Sequence, residues 1–477
     1  MTKFLKFDRD AVLTDPRLPN LYHTISDLAY QFAALGRIDT AKTLISLLLS
    51  EYSSDWQLSQ IRHLKFAFAE TNQWPDEIRT EDRTEEALGE IAVQESPHLG
   101  DDSSGQDDES RLQKLLEHAV KTDPRDGRFV MGQSSALADA LALAIRLASA
   151  RTSSMQEIEA DEKVQEALGY ASERPDDRHV IQYLTERRVN WRLLSTGALA
   201  RKIGVDTEKL DALAQEVVAT FTERFNNGRK GHESESKSLK ELLDDLSRNT
   251  KENGVGFYNE MGWKVPESLY VDPPATDEQI SALEKKFGTT LPKDYKEFLK
   301  LSNGFGGTWN GGFLEPALFK VDEIDWVETY RDGLPLGLHE TPNGIMDLEL
   351  PSGREWPGVP AKAIRLGTMD IFDVWFISPD DVKKAIKAYK EVTESPETPD
   401  VVKQQTIKLL VSKYGSWEDF EKLDWVVMEP DEGESTIHGS FTQFLQARLR
   451  DSETGDLEED ERSGVRSIAH RCMADRP

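Results

Sequence analysis

The residues able to do chemistry are present but scattered. There are nine histidines, and none forms the His-Glu-x-x-His pair that sets two imidazoles on one helix face for zinc. His339, His438 and His470 stand isolated and read as surface or turn residues. The single cysteine, Cys472, excludes an intramolecular disulfide and a zinc site built on several cysteines. It lies in an expected flexible tail, which makes it a poor nucleophile candidate. Gly304-Phe305-Gly306-Gly307 and Gly311-Gly312 have the composition of a phosphate-cradling loop. They follow a predicted helix and not a strand, and the spacing of a dinucleotide fingerprint fails, so a glycine-rich turn is expected. No phosphate loop ending in Gly-Lys-Ser/Thr and no Gly-x-Ser-x-Gly elbow occurs. Asp370 and Asp373 could face a cation, but a hairpin turn accounts for both. No catalytic, cofactor-binding or metal-ligating set is therefore expected, and the chain is read as not an enzyme.

Recognition is the chemistry that remains. Trp309, Phe313 and Trp326 cluster around the glycine-rich turn that Asn303 opens. Aromatic side chains beside adaptable backbone are frequent anchors at interfaces. Trp309 is expected at the surface and Trp326 in the core. Trp309, Phe313 and Asn303 are the candidate partner-binding residues, and Trp309→Ala is expected to weaken partner capture without unfolding. The most basic stretch holds Arg178, Arg187, Arg188, Arg192, Arg201 and Lys202, with Tyr183 and Trp191 as its aromatics. It could contact nucleic acid or phosphate, but a solvated helix face is the simpler reading.

Composition sharpens this. The 477 residues carry 58 basic and 87 acidic side chains, a formal charge of −29. That field repels nucleic acid and anionic membrane, so neither is expected as a partner. Mean hydropathy is −0.56, and no apolar run approaches the ~20 residues that cross a bilayer. The N-terminus lacks the apolar core of a secretory signal. A cytoplasmic protein without membrane insertion is expected.

The elements that must position these residues fall into blocks. Residues 1–78 read as a helical hairpin: Leu28, Ala29, Phe32, Ala41, Ile45 and Leu48 sit where a tetratricopeptide unit alternates large and small residues. Fewer than three such units are visible, which favours an irregular helical bundle. Residues 79–110 read as an acidic flexible linker in which Ser103 and Ser104 would suit an acid-directed kinase, although a plain solvated linker is the simpler account. Residues 111–226 return to helical spacing, with the alanine-rich run around Leu137, Leu141, Ala144, Ile145 and Leu147. Residues 227–254 read as a polar linker containing a short helix. Residues 451–477 read as a disordered acidic tail, since seven of the eleven residues from Asp451 to Glu461 are carboxylates.

Residues 255–450 carry the most information. Thr276 to Gln279 form a capping box, Ile280, Leu283 and Phe287 line one helix face, and Gly288 stops it. Leu291-Pro292 opens a second helix with Tyr295, Phe298 and Leu299 inward, closed at Asn303-Gly304. Strands are expected at Leu318 to Val321, Ile345 to Leu350, Ala363 to Leu366 and Val374 to Ile377. A helix capped by Ser378 and a last one capped by Ser440 with Gln443 follow. Helices, then strands, then helices predict an α+β domain behind an all-helical N-terminal region.

The run from Pro273-Pro274 through Phe287-Gly288, Leu291-Pro292-Lys293-Asp294-Tyr295 and Ser302-Asn303-Gly304 resembles the opening of a SUKH domain. Ile364 to Gly367 with Asp373 to Ile377 resembles its central strand pair, and Ser440 to Leu445 its closing helix. The resemblance covers about residues 265–450. Residues 394–437 depart from it as an insertion whose Leu409, Tyr414, Trp417, Phe420 and Trp425 predict a packed helical elaboration. The resemblance implies binding rather than catalysis. Fungal members imply an adaptor in cell-wall assembly and morphogenesis, at sites of polarised growth, with a signalling kinase or wall-synthesis machinery as partner. Bacterial members imply the alternative, an acidic inhibitor of a nuclease or other toxin. The helical N-terminus and acidic linkers favour the fungal arrangement.

Overall fold

The computed structural model describes residues 7–51, 58, 60–94, 107–120, 129–174, 178–329, 336–339, 350–430 and 435–453. The chain divides into two compact units, residues 1–15 with 19–230, and residues 16–18 with 231–477.

All regular elements described in the first unit are helical. The alanine-rich run is the helix Phe129–Arg151, which packs against the helices Asp108–Val120, Glu162–Ser172 and Arg178–Glu186. Small residues such as Ala138, Ala140 and Ala144 are fully buried, which lets these axes approach closely. The predicted division at 79–110 is not a division between domains. Gly36, in the turn between helices Leu18–Ala34 and Ile38–Glu51, lies against Gly197; a Cβ on it would sit 2.5 Å from the Gly197 amide nitrogen. Both glycines also need positive φ. Arg188 pairs with Glu85 at 2.8 Å, so a residue of the expected linker is tied to a residue that follows it. Within 79–110, Glu85–Gln94 is helical and Asp108 begins the next helix; Ser103 and Ser104 lie outside the described residues.

The second unit is α+β, and its elements are labelled here in chain order. The expected linker 227–254 is instead largely helix. Ser238 and Glu241 form a reciprocal capping box that starts α1 (Leu239–Asn253). Its Leu239, Leu242, Leu243 and Leu246 enter the main core of the unit. The short helix expected within this segment is thus longer and part of the core, although only one narrow stripe of it is apolar. A short α2 (Val255–Glu260) follows. Next come α3 (Asp277–Phe287), with the expected Thr276–Gln279 capping box and Gly288 at φ +69°, and α4 (Lys293–Leu301).

Five antiparallel strands follow in spatial order β1-β2-β3-β4-β5: Asp325–Glu328, Lys362–Met369, Phe372–Ile377, Val426–Pro430 and Ser435–His438. The expected strands at 363–366 and 374–377 are the cores of β2 and β3. Leu318 makes only isolated bridges, to Phe305 and Gly367, and 341–349 lie outside the described residues. Between β3 and β4 run α5 (Pro379–Glu394), α6 (Asp400–Tyr414) and α7 (Trp417–Glu421), and α8 (Phe441–Ser452) closes the unit.

Strand alternation assigns the two faces. Ile364, Leu366, Val374, Phe376 and Val427 point to α1, α3, α4 and α8, where Tyr295, Phe298 and Phe441 interlock at ring separations of 4.8–5.7 Å. Ala363, Trp375, Ile377, Val426 and Met428 point to α5, α6 and α7. The 394–437 segment is therefore more than a helical elaboration. Its helices α6 and α7 seal the second face, and its last part supplies β4 and most of β5. Alternation in β4 was masked because both of its faces are buried.

Candidate interaction surface

The turn expected to present an anchor is built around close backbone contacts. The Asn303 amide donates to the Val271 carbonyl (3.0 Å) and its Oδ1 accepts from the Val321 amide (2.9 Å), so this half-buried side chain ties the two ends of the turn together. Asn303 does not itself use positive φ; Gly304 does, at +101°, where a Cβ would meet the Leu318 carbonyl at 2.7 Å. Phe305 bridges Tyr270 and Leu318, and Leu318 bridges Gly367 at the irregularity in β2. At Gly367 a Cβ would lie 2.3 Å from the Ala317 carbonyl. At Gly304 and Gly367 the missing Cβ allows this close backbone approach.

Trp309 corrects the surface expectation. It is 1% exposed and forms a small core with Tyr258 and Leu314. Its amide donates to Thr250 Oγ1 (3.0 Å), and its ring lies against Gly254 and Phe257. Rings from a turn and from α2 bury one another because neither segment has another apolar face to join. Phe313 is half-buried and stacks on Phe372 at 5.2 Å, beside the β2–β3 turn. Asp370, at φ +55°, makes that turn, as the hairpin reading required. Trp326 is the opposite correction: it is 42% exposed on the edge strand β1, propped edge-to-face on Phe287.

The surface aromatic that sequence reasoning passed over is Trp263, 47% exposed. It meets Phe257 edge-to-face at 6.0 Å, and Phe257 rests on Trp309 at 6.0 Å. Val255 is exposed nearby in sequence, on α2. The three candidates thus do not converge on a single surface: Asn303 and Trp309 are structural, and Phe313 belongs to the β2–β3 corner.

A buried charge cluster holds the turn to the sheet. Arg448, 2% exposed on α8, pairs through Nε with Glu315 (3.0 Å) and donates to Glu429 Oε1 (2.9 Å) and the Pro316 carbonyl (2.9 Å). Its guanidinium also stands 4.4 Å from the Phe444 ring centre. Glu429 in turn contacts His438 at 2.8 Å. Burial, with Glu429 and Asp451 nearby, pushes the Glu315 carboxyl up to about 7 even though Arg448 opposes the rise. Burial acts on Glu429 too, but Arg448 and His438 outweigh it and hold that carboxyl down to about 2. His438 is thus a cluster member and not an isolated turn residue. His339 is also buried, its imidazole against the Tyr389 hydroxyl, and burial lowers it to about 3. His470 and Cys472 lie outside the described residues.

The basic stretch is engaged within the first unit. Arg187 pairs with buried Asp139 at 2.6 Å, Arg188 with Glu85, and Arg201 with Glu159 at 2.7 Å. Arg192 donates to Ser149 Oγ and Lys202 to Gln165. Trp191 is fully buried. Among the described residues no group of three His, Cys, Asp or Glu could hold a metal, and no helix is long and apolar enough to cross a membrane.

These features define an α+β module with its sheet sealed on both faces and its unusual residues spent on architecture. The SMI1 / KNR4 family (SUKH-1) model matches residues 274–386, so the C-terminal half contains a SUKH domain. The match ends within α5, short of the 265–450 span of the resemblance. None of the curated proteins and none of the solved structures compared with the chain matches it.

Proposed function

We propose that the protein is a non-enzymatic interaction adaptor that binds other proteins through its SUKH-containing unit. The SUKH domain at 274–386 carries this reading. The covered sheet supports it, because binding then falls to the edge strand, helix surfaces and loops, where Trp326, Val255 and Trp263 are exposed. By resemblance to fungal members, the role is in cell-wall assembly or morphogenesis, in the cytoplasm at sites of polarised growth, with a signalling kinase or wall-synthesis machinery as partner. The −29 charge favours one second reading, an acidic inhibitor of a basic nuclease or other toxin.

Affinity capture of the full-length protein from native lysate, followed by cross-linking and reconstitution with the purified partner, separates the two. A signalling or wall-synthesis protein cross-linked to residues 231–453 supports the adaptor. A single basic nuclease whose activity falls on binding replaces it with the inhibitor. Turnover of a small molecule by the purified chain overturns both.

A further inference from the structure

Among the described residues, serine or threonine precedes proline three times, at Ser378, Ser395 and Thr398. Ser378 is spent on structure: it starts α5, its hydroxyl accepting from the Asp381 amide and donating to the Asp381 carboxylate at 2.7 Å. Thr398 is 8% exposed. Ser395 differs from both. It ends α5 rather than starting a helix, is half-buried, and has an extended backbone at φ −62° and ψ 134°. Pro396 and Glu397 after it are exposed. Its hydroxyl accepts from the Glu397 amide at 3.1 Å, a contact across two residues of the same turn. A kinase that reads proline after its acceptor grips the acceptor as an extended chain and asks for no amide from the next residue, which proline lacks. Ser395-Pro396 meets both demands at the surface of the folded unit.

A phosphate at this position has a physical consequence. A phosphoserine carries about −1.5 to −2 charges near neutral pH. At Ser395 that charge stands at the carbonyl end of α5, the negative end of the helix dipole. It lies one helical turn beyond Glu391 and next to exposed Glu394. Two cations of this corner are already engaged, Arg354 with Glu391 and Lys403 with Asp400 at 3.5 Å. The end of α5 carries Val392 into a small core with Ala388, Leu350 and, from α6, the partly buried Val402. Added negative charge there opposes the last turn of α5 and strains that core.

We propose that Ser395 is the acceptor site of a proline-directed serine/threonine kinase and that its phosphate loosens the corner between α5 and α6. The kinase transfers the γ-phosphoryl group of ATP to Ser395 Oγ. The Oγ–phosphorus bond forms, the bond to the β-phosphate oxygen breaks, ADP leaves, and the hydroxyl proton passes to the base of the kinase. Helices α5 and α6 belong to the layer that covers the second face of the sheet, so the loosening acts on that cover. The assignment does not depend on the adaptor reading.

Full-length protein is incubated with MgATP and a purified cyclin-dependent kinase, and in parallel with a purified mitogen-activated kinase, and phosphates are located by mass spectrometry. A synthetic peptide of residues 389–403 is treated alongside. Folded protein is expected to take phosphate at Ser395 ahead of the enclosed Thr398. Pro396→Ala keeps the Ser395 hydroxyl and should lower its labelling severalfold. Labelling of the peptide but not of the protein overturns the proposal, because the fold then hides Ser395. Absence of Ser395 phosphate from both with both kinases, or labelling of Thr398 ahead of Ser395 in the folded protein, overturns it as well. Hydrogen exchange gives the second readout: amides 388–394 and 402–406 should exchange severalfold faster in the phosphorylated wild type than in Ser395→Ala treated the same way. Equal or slower exchange overturns the loosened corner.

Discussion

At the scale of single residues, burial converts apparent binding groups into structural ones. Trp309 fills a small core between the glycine-rich turn and α2, so Trp309→Ala should cost about 3–5 kcal/mol, as large-to-small changes at buried aromatics do. Urea unfolding followed by far-UV circular dichroism measures this, and a loss below about 1 kcal/mol would contradict the packing. Glu315 gives a pH prediction. Its folded carboxyl lies up at about 7, against an ordinary value of 4.5. The folded state therefore keeps a proton that the unfolded state releases between those values. This contribution is complete below about pH 4.5 and is lost as pH rises through about 7. Glu315→Gln should flatten the fall in melting temperature over that interval; an unchanged slope would place the titration elsewhere. Arg448→Ala leaves two largely buried carboxylates without their cation and should cost about 3–5 kcal/mol, read in the same unfolding experiment.

At the scale of elements, α1 is the piece most easily misassigned. Its polar composition hides Leu239, Leu242, Leu243 and Leu246, which close the main core of the second unit. A fragment starting at residue 255 should consequently expose the matching faces of α4 and α8, bind a hydrophobic dye and lose its sharp melting transition. A fragment starting at 231 should melt cooperatively. Equal behaviour of the two would show that α1 is dispensable. The strands show the same dependence on context. The capping boxes and glycine stops of α3 are local, and their prediction agrees with the structure. β4 carries apolar residues on both faces, since the sheet is covered on both, and a two-residue alternation never appears.

At the scale of the whole molecule, charge is the dominant global quantity. A net −29 destabilises compact states by self-repulsion, and salt screens it over a Debye length of about 8–10 Å near physiological strength. Melting temperature should therefore rise between low and moderate sodium chloride. A fall would mean that the specific ion pairs, Arg187–Asp139 and the Arg448 cluster among them, outweigh the general repulsion.

The sequence by itself determined what is local. It specified the helical first unit, the α3–α4 opening with its caps, the β2–β3 pair and the SUKH resemblance, because caps, turns and periodic stripes involve residues within a few positions of one another. Tertiary structure alone decided what depends on distant partners. Whether a tryptophan is anchor or core was settled by its surroundings: Trp309 is enclosed with Tyr258 and Phe257, whereas Trp326 stands 42% exposed against Phe287. Whether residues 239–253 were linker or core was settled by α4 and α8. The charge cluster joins positions 315, 429, 438 and 448, which no short-range pattern links, and the fold brings them within hydrogen-bonding distance.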